Sequence, residues 1–133
     1  MICRADLTGT DGIVWSHAKS TPYVPSPLLA SDTLYFISNN SALLSAFDAV
    51  SGKAHFEAER LDGLNGVYAS PVAADGRIYL VGRDGNTAVL RQGPRLEILA
   101  KNHLDDGFDA SPAIVGRQIF LRGRQSLYCI SEK

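Results

Sequence analysis

The chain has 133 residues, 45% of them hydrophobic, and a formal net charge of −1. That length suits one domain with its own core, and the near-neutral charge excludes a field strong enough to draw in nucleic acid or an anionic membrane surface. No stretch approaches the roughly 18–20 apolar residues of a membrane span, and Met1-Ile2-Cys3-Arg4-Ala5-Asp6 meets a charge too soon to read as a signal peptide.

Gly and Pro punctuate the sequence every few residues, and no apolar pattern of helical period lasts ten residues. Strands are therefore predicted throughout. Ile2–Leu7 and Ile13–Ser16 read as the last two strands of a sheet whose first two are missing. Ser26–Ala30, Leu34–Ser38, Leu43–Asp48 and Ala54–Arg60 follow, with turns at Asn39-Asn40 and Ser51-Gly52-Lys53. The next four are Ala69–Ala73, Arg77–Gly82, Thr87–Gln92 and Arg95–Asn102, with turns at Asp75-Gly76, Asp84-Gly85-Asn86 and Gly93-Pro94. Ser111–Val115, Gln118–Arg122 and Ser126–Ser131 make three more.

These strands repeat one text. Ser26-Pro27, Ser70-Pro71 and Ser111-Pro112 stand at intervals of 44 and 41 residues, and an apolar triplet begins eight residues after each Ser: Leu34-Tyr35-Phe36, Ile78-Tyr79-Leu80 and Ile119-Phe120-Leu121. A period near forty built of short strands and turns predicts all-β propeller blades of four antiparallel strands. The expected boundaries are 1–18 for the outer strands of a preceding blade, 24–61 and 67–104 for whole blades, and 108–133 for a three-stranded last blade. About three blades do not complete a ring. Either several chains close one together or this segment belongs to a longer propeller. A blade without its outer strand bares a ladder of N–H and C=O groups, so self-association through open edges, or docking of a protein partner there, is expected. Residues 1–76 hold four basic and eight acidic residues, and residues 77–133 hold nine and six, a split that is either ordinary surface charge or an attraction between the two ends in an assembly.

Ala46-Phe47-Asp48-Ala49-Val50-Ser51-Gly52-Lys53-Ala54-His55-Phe56 resembles the A-x-D-x-x-x-G-K-x-x-W signature of the pyrroloquinoline-quinone (PQQ) repeat. Ala69–Tyr79 and Leu127-Tyr128-Cys129-Ile130 resemble the last blades of bacterial PQQ-like and BamB-like propeller proteins. The resemblance implies that Asp48 and Gly52 shape the turn between third and fourth strands, and that Phe56 and Trp15 dock aromatics between blades. It also suggests a periplasmic or secreted parent. Quinone dehydrogenases of this fold hold PQQ on the axis with a Ca²⁺ ion, a stacking Trp and often adjacent cysteines, and that set is not identifiable here. Asp105, Asp106 and Asp109 supply carboxylates of a kind that hold Ca²⁺, but a solvated loop accounts for them as well.

Other chemistry is sparse. Cys3 and Cys129 have no metal-ligand spacing. Cys129, inside an apolar run, is expected to be a buried free thiol, with a disulfide to Cys3 the alternative. His17, His55 and His103 fall one per unit, in or near outer strands, which favours packing over catalysis. Gly82-Arg83-Asp84-Gly85-Asn86 joins two strands, so it reads as a hairpin turn rather than a phosphate loop. Aromatics recur just before each Ser-Pro: Tyr23 (with Val24), Tyr68 (after Val67) and Phe108 (before Asp109). They predict a channel rim that Arg83, Asp84, Asn39, Asn40 and Arg124 join, or else rings packed between blades. Three functions follow: a non-catalytic scaffold for protein contact, a fragment of a PQQ-dependent oxidoreductase, or a module binding a small ligand or glycan. The scaffold leads, because features that build blades are abundant and features that build a reaction centre are not.

Overall fold

A computed structural model describes residues 10, 12–38 and 41–131 of the chain. The first sheet holds β1 (Leu28–Ala30), β2 (Thr33–Ser38), β3 (Leu43–Asp48) and β4 (Ala54–Arg60). The second holds β5 (Val72–Ala74), β6 (Arg77–Val81), β7 (Asn86–Arg91) and β8 (Ile98–His103). The third holds β9 (Ala113–Val115), β10 (Gln118–Arg122) and β11 (Leu127–Ser131). Each sheet is antiparallel with its strands in chain order, and there is no helix among the described residues. Among the described residues the fold is all-β, a partial propeller of two four-stranded blades and one three-stranded blade.

The repeated Ser-Pro explains both the blade starts and the blade-to-blade link. Proline has no N–H to give a ladder, so β1, β5 and β9 begin directly after Pro27, Pro71 and Pro112, later than the sequence reading placed them. The serines pair across blades. The Ser26 N–H donates to Ser70 Oγ and the Ser70 N–H donates to Ser111 Oγ, both at 2.8 Å. Two-residue turns follow the short strands, and Asp75 and Gly76 both take positive φ there, 49° and 68°, the backbone that suits the sheet's twist.

Two seams join the blades. Between the first and second, Tyr35, Ile37, Leu44, Ala46, Leu61, Leu64, Val67, Ile78, Leu80 and Leu90 form one buried cluster, with Phe56 and Leu96 packed against it. Runs buried on both faces, such as Tyr35-Phe36-Ile37, fit a sheet covered by neighbours on either side. The Tyr35 hydroxyl is clasped by one residue of the β7–β8 turn: it donates to the Gly93 carbonyl at 2.9 Å and accepts from the Gly93 N–H at 2.8 Å. The second seam is smaller, with Ala69, Val81, Phe108 and Leu121 buried and Leu104, Ile119 and Tyr128 half-buried around them.

β3 and β4 carry a bulge. Leu44 pairs with Glu59 but Ala46 with Phe56, and Ala58 takes φ +55°. The fully buried Ser45 hydroxyl accepts the Ala58 N–H at 2.9 Å, so the bulge leaves no orphan donor there.

Two expectations are corrected. Ile13–Ser16 is not a strand. No ladder partner stands beside it among the described residues, and Ile13 and Val14 are exposed. Trp15 instead holds the segment by its side chain. Its Nε1–H donates to the Ala49 carbonyl at 3.0 Å, and its ring lies over Gly52, where a Cβ would come within 2.6 Å of Cγ. Cys129 is free but exposed, because no strand lies outside β11 among the described residues to cover that face. Ile2–Leu7 and Cys3 fall outside the described residues.

Candidate interaction rim

The loops that enter each blade lie against the turns between second and third strands. The Arg83 N–H donates to the Gly66 carbonyl at 3.0 Å, and 41 residues on, the Arg124 N–H donates to the Gly107 carbonyl at 2.9 Å. This shared backbone joint places both arginines at the same corner of successive blades. Glycine is required at one side of it, since a Cβ on Gly123 would strike the Asp106 carboxylate.

The side chains then converge. The Arg83 guanidinium lies 4.1 Å from the Tyr68 ring centroid, a cation–π stack, and its Nε reaches Asp109 Oδ1 of the next blade at 2.6 Å. Arg124 grips the same carboxylate through Nε at 3.1 Å and Nη2 at 3.3 Å. The hydrogen bond from Arg124 is the main cause that holds the Asp109 carboxyl below its usual range; partial burial opposes it and the bond from Arg83 adds to it. Asp109 in turn raises Arg124. Two guanidiniums share one carboxylate, and Asp106 acts on Arg124 as well.

Asp84 belongs to a neighbouring network. It accepts from Asn65 Nδ2 at 3.0 Å and Asn86 Nδ2 at 2.9 Å, and Asn86 Oδ1 meets His103 Nδ1 at 2.9 Å. Residues 82–85 form the hairpin turn between β6 and β7. Tyr23 stands 86% exposed beside Val24 on the first blade's entry loop and belongs to neither group. Phe108 departs from the rim expectation. It is 1% exposed and packs edge-on against Tyr128 at 5.9 Å, because an aromatic at that position fills the second seam. Asn39 and Asn40 lie outside the described residues.

The sequence reading missed the role of Asp106, which is neither a solvated loop residue nor a free ligand. It is 9% exposed. Its oxygens accept the N–H groups of Gly107, Arg124, Gln125 and Ser126 and the Tyr128 hydroxyl, at 2.7 to 3.3 Å. Burial pushes its carboxyl up, but the donors, Gln125 and Gly107 foremost, bring it below the ordinary value. The paired spacing of Gly66 and Gly107 with Arg83 and Arg124 was the available signal for the backbone joint. His17 packs edge-on against Phe47 at 4.7 Å, with Nε2 3.4 Å from Glu57 Oε1 but without hydrogen-bond geometry. His55 is exposed.

A Ca²⁺–quinone pair does not fit these donors. The Asp106 and Asp109 oxygens are committed to N–H, O–H and guanidinium groups. Trp15 has its ring stacked toward Phe47 at 6.2 Å and over Gly52 rather than free to sandwich a cofactor.

No protein-family model matches the sequence, and no curated protein does. Among solved structures, BamB from Moraxella catarrhalis aligns with TM-score 0.70 at 19% identity over 89% of this chain and 36% of its own. A europium-containing methanol dehydrogenase aligns with TM-score 0.61 at 18% identity over 87% of this chain and 24% of its own. The chain thus spans about a third and about a quarter of these structures' lengths. With two such propellers superposing on nearly all of it, the chain has the fold of a PQQ-like β-propeller, as a partial one.

Proposed function

We propose that the chain is a non-catalytic propeller segment whose loop rim contacts other proteins. The observation that carries this reading is the Tyr68–Arg83–Asp109–Arg124 group: an exposed and a half-buried arginine and a half-buried aromatic, residue types that anchor protein contacts, held together at the joint between two blades. Association through open blade edges, and a compartment outside the cytoplasm as the PQQ-repeat resemblance suggests, belong to the same reading.

The test is site-specific photo-crosslinking in the native host. A photoreactive residue at Tyr23 or Tyr68 is expected to yield discrete protein adducts. One at Ser51, on an exposed turn away from the rim, is expected to yield none. Adducts at Ser51 alone would contradict the reading. The methanol dehydrogenase likeness keeps a quinone-oxidoreductase fragment as the second reading, since that enzyme shares the fold. It requires that adding Ca²⁺ and PQQ change the quinone absorbance saturably. The committed carboxylates support the opposite outcome. Binding of a glycan or other small ligand that Tyr23→Ala abolishes, with the fold intact, would favour the third reading.

A further inference from the structure

The two seams of this chain are built from the same repeat, and they are filled differently. Tyr35 pairs with Leu28 and Ala46, and Tyr79, in the same register of the next blade, pairs with Val72 and Val89. One strand further out, Ala46 pairs with Phe56 and Val89 pairs with Ala100. Phe56 and Ala100 are therefore equivalent positions on the outer strands of successive blades. The Phe56 ring packs against the buried cluster of the first seam. Ala100 has no ring to offer the second and is exposed. Its ladder partner Val89 instead lines a cleft of about 290 Å³. Tyr79, Val81, Ile119, Leu121 and Ile130 are the other large apolar walls. Thr87, Asn102 and His103, together at one end of the β7–β8 ladder, add polar groups, and no Asp, Glu, Lys or Arg lines the space.

Size and charge narrow what would fit. An apolar cavity of about 150 Å³ holds benzene and stays dry when empty, and the larger space here suits two fused rings. With no charged wall to offset desolvation, an ion is disfavoured. We propose that this cleft is a binding site for a small uncharged aromatic molecule, an indole-sized ring system with an N–H or O–H group. Its rings take the place in the second seam that the Phe56 ring takes in the first, between Val89 on one blade and Ile119 and Leu121 on the next. Its polar group lies toward Asn102, whose amide both donates and accepts. Aromatic faces buried against aliphatic walls supply the affinity, and the polar end fixes the orientation. The site is separate from the Tyr68–Arg83–Asp109–Arg124 group and goes beyond the scaffold reading without resting on it.

The probe is indole, titrated into the full chain and followed by methyl chemical shifts. Val81, Val89, Ile119 and Leu121 are expected to shift saturably, and Ile37 and Leu44 of the first seam to stay unmoved. Indole-3-acetate, which adds a negative charge to the same rings, is expected to bind at least about tenfold more weakly. Ala100→Phe puts a ring where the first seam has one and is expected to weaken indole binding by about tenfold or more, whereas Ala100→Ser keeps the space and is expected to leave it unchanged. Should Ala100→Phe fail to fold, the shifts of the unmodified chain with the two probes decide alone. No saturable shift, or equal shifts in both seams, overturns the proposal. Equal affinity for indole-3-acetate overturns the uncharged class, and undiminished binding by a folded Ala100→Phe overturns the equivalence with Phe56. Concentration-dependent self-association that shifts the same methyls without indole also overturns the proposal, by assigning the space to a second copy. Failure here with rim adducts intact would leave the scaffold reading standing.

Discussion

The first seam and the second seam come from one repeat and differ in how they close. The first buries residues from five strands and the loops between them, and a tyrosine hydroxyl locks it. The second buries four residues, leaves a cleft, and relies on polar ties: Ser70 to Ser111, Arg83 to Asp109, and the Asp106 knot. Apolar area is the main stabilising term in folding, whereas exposed ion pairs contribute little. The comparison therefore teaches that the first two blades form the stable body and the third is the part free to open or to accept a neighbour.

The largest expected effect is in the first seam. Leu44→Ala, at a fully buried position, should destabilise the first two blades together by about 3 kcal/mol, read as one cooperative denaturant transition. Loss confined to the first blade would break the comparison. Phe108→Ala should cost about 2 kcal/mol, less than a sealed core demands because the second seam can collapse. Its expected signature is faster amide exchange in β9–β11 with β2–β3 unchanged. A global loss equal to that of Leu44→Ala would show the seams to be equivalent.

The two tyrosines sharpen the contrast. Tyr35→Phe removes both bonds to Gly93 and should cost about 1–2 kcal/mol, whereas Tyr79→Phe should be near neutral. Equal costs would mean that Tyr79 is clasped as Tyr35 is. Ser45→Ala orphans the Ala58 N–H at the bulge and should cost about 1 kcal/mol, again within the first blade. The smallest effect is with pH. Asp106 and Asp109 have lowered carboxyls in the fold, so their contribution is present above about pH 4 and is lost as pH falls through the folded-state values. Acidification should loosen the third blade before the first. Simultaneous loss of both blades on an acid titration would contradict this.

How much of this was readable follows from how local each signal is. Strand positions were legible because Pro27, Asp75-Gly76 and Gly93-Pro94 act on the backbone within a residue or two. β3, β4 and β10 fall where the sequence placed them. The serine ladder was visible as a repeat, but its purpose needed the blades side by side. The Tyr35–Gly93 clasp spans 58 residues and the Asp106–Ser126 bond 20, distances over which no periodicity speaks. Cys129 was misjudged because an apolar run says that a strand wants cover, not that a neighbouring strand supplies it. Trp15 was placed on a strand because it sits in a β-like stretch, yet its hold comes from one indole and one glycine turn. At the rim, the arginines were noted as turn residues, but their convergence on Asp109 depends on the angle between blades.

The most direct measurement of the central claim is native-state amide exchange across low denaturant. The account predicts two opening free energies: a high one shared by β2, β3, β6 and β7, and a lower one for β10 and β11. A single free energy for all six strands would contradict it.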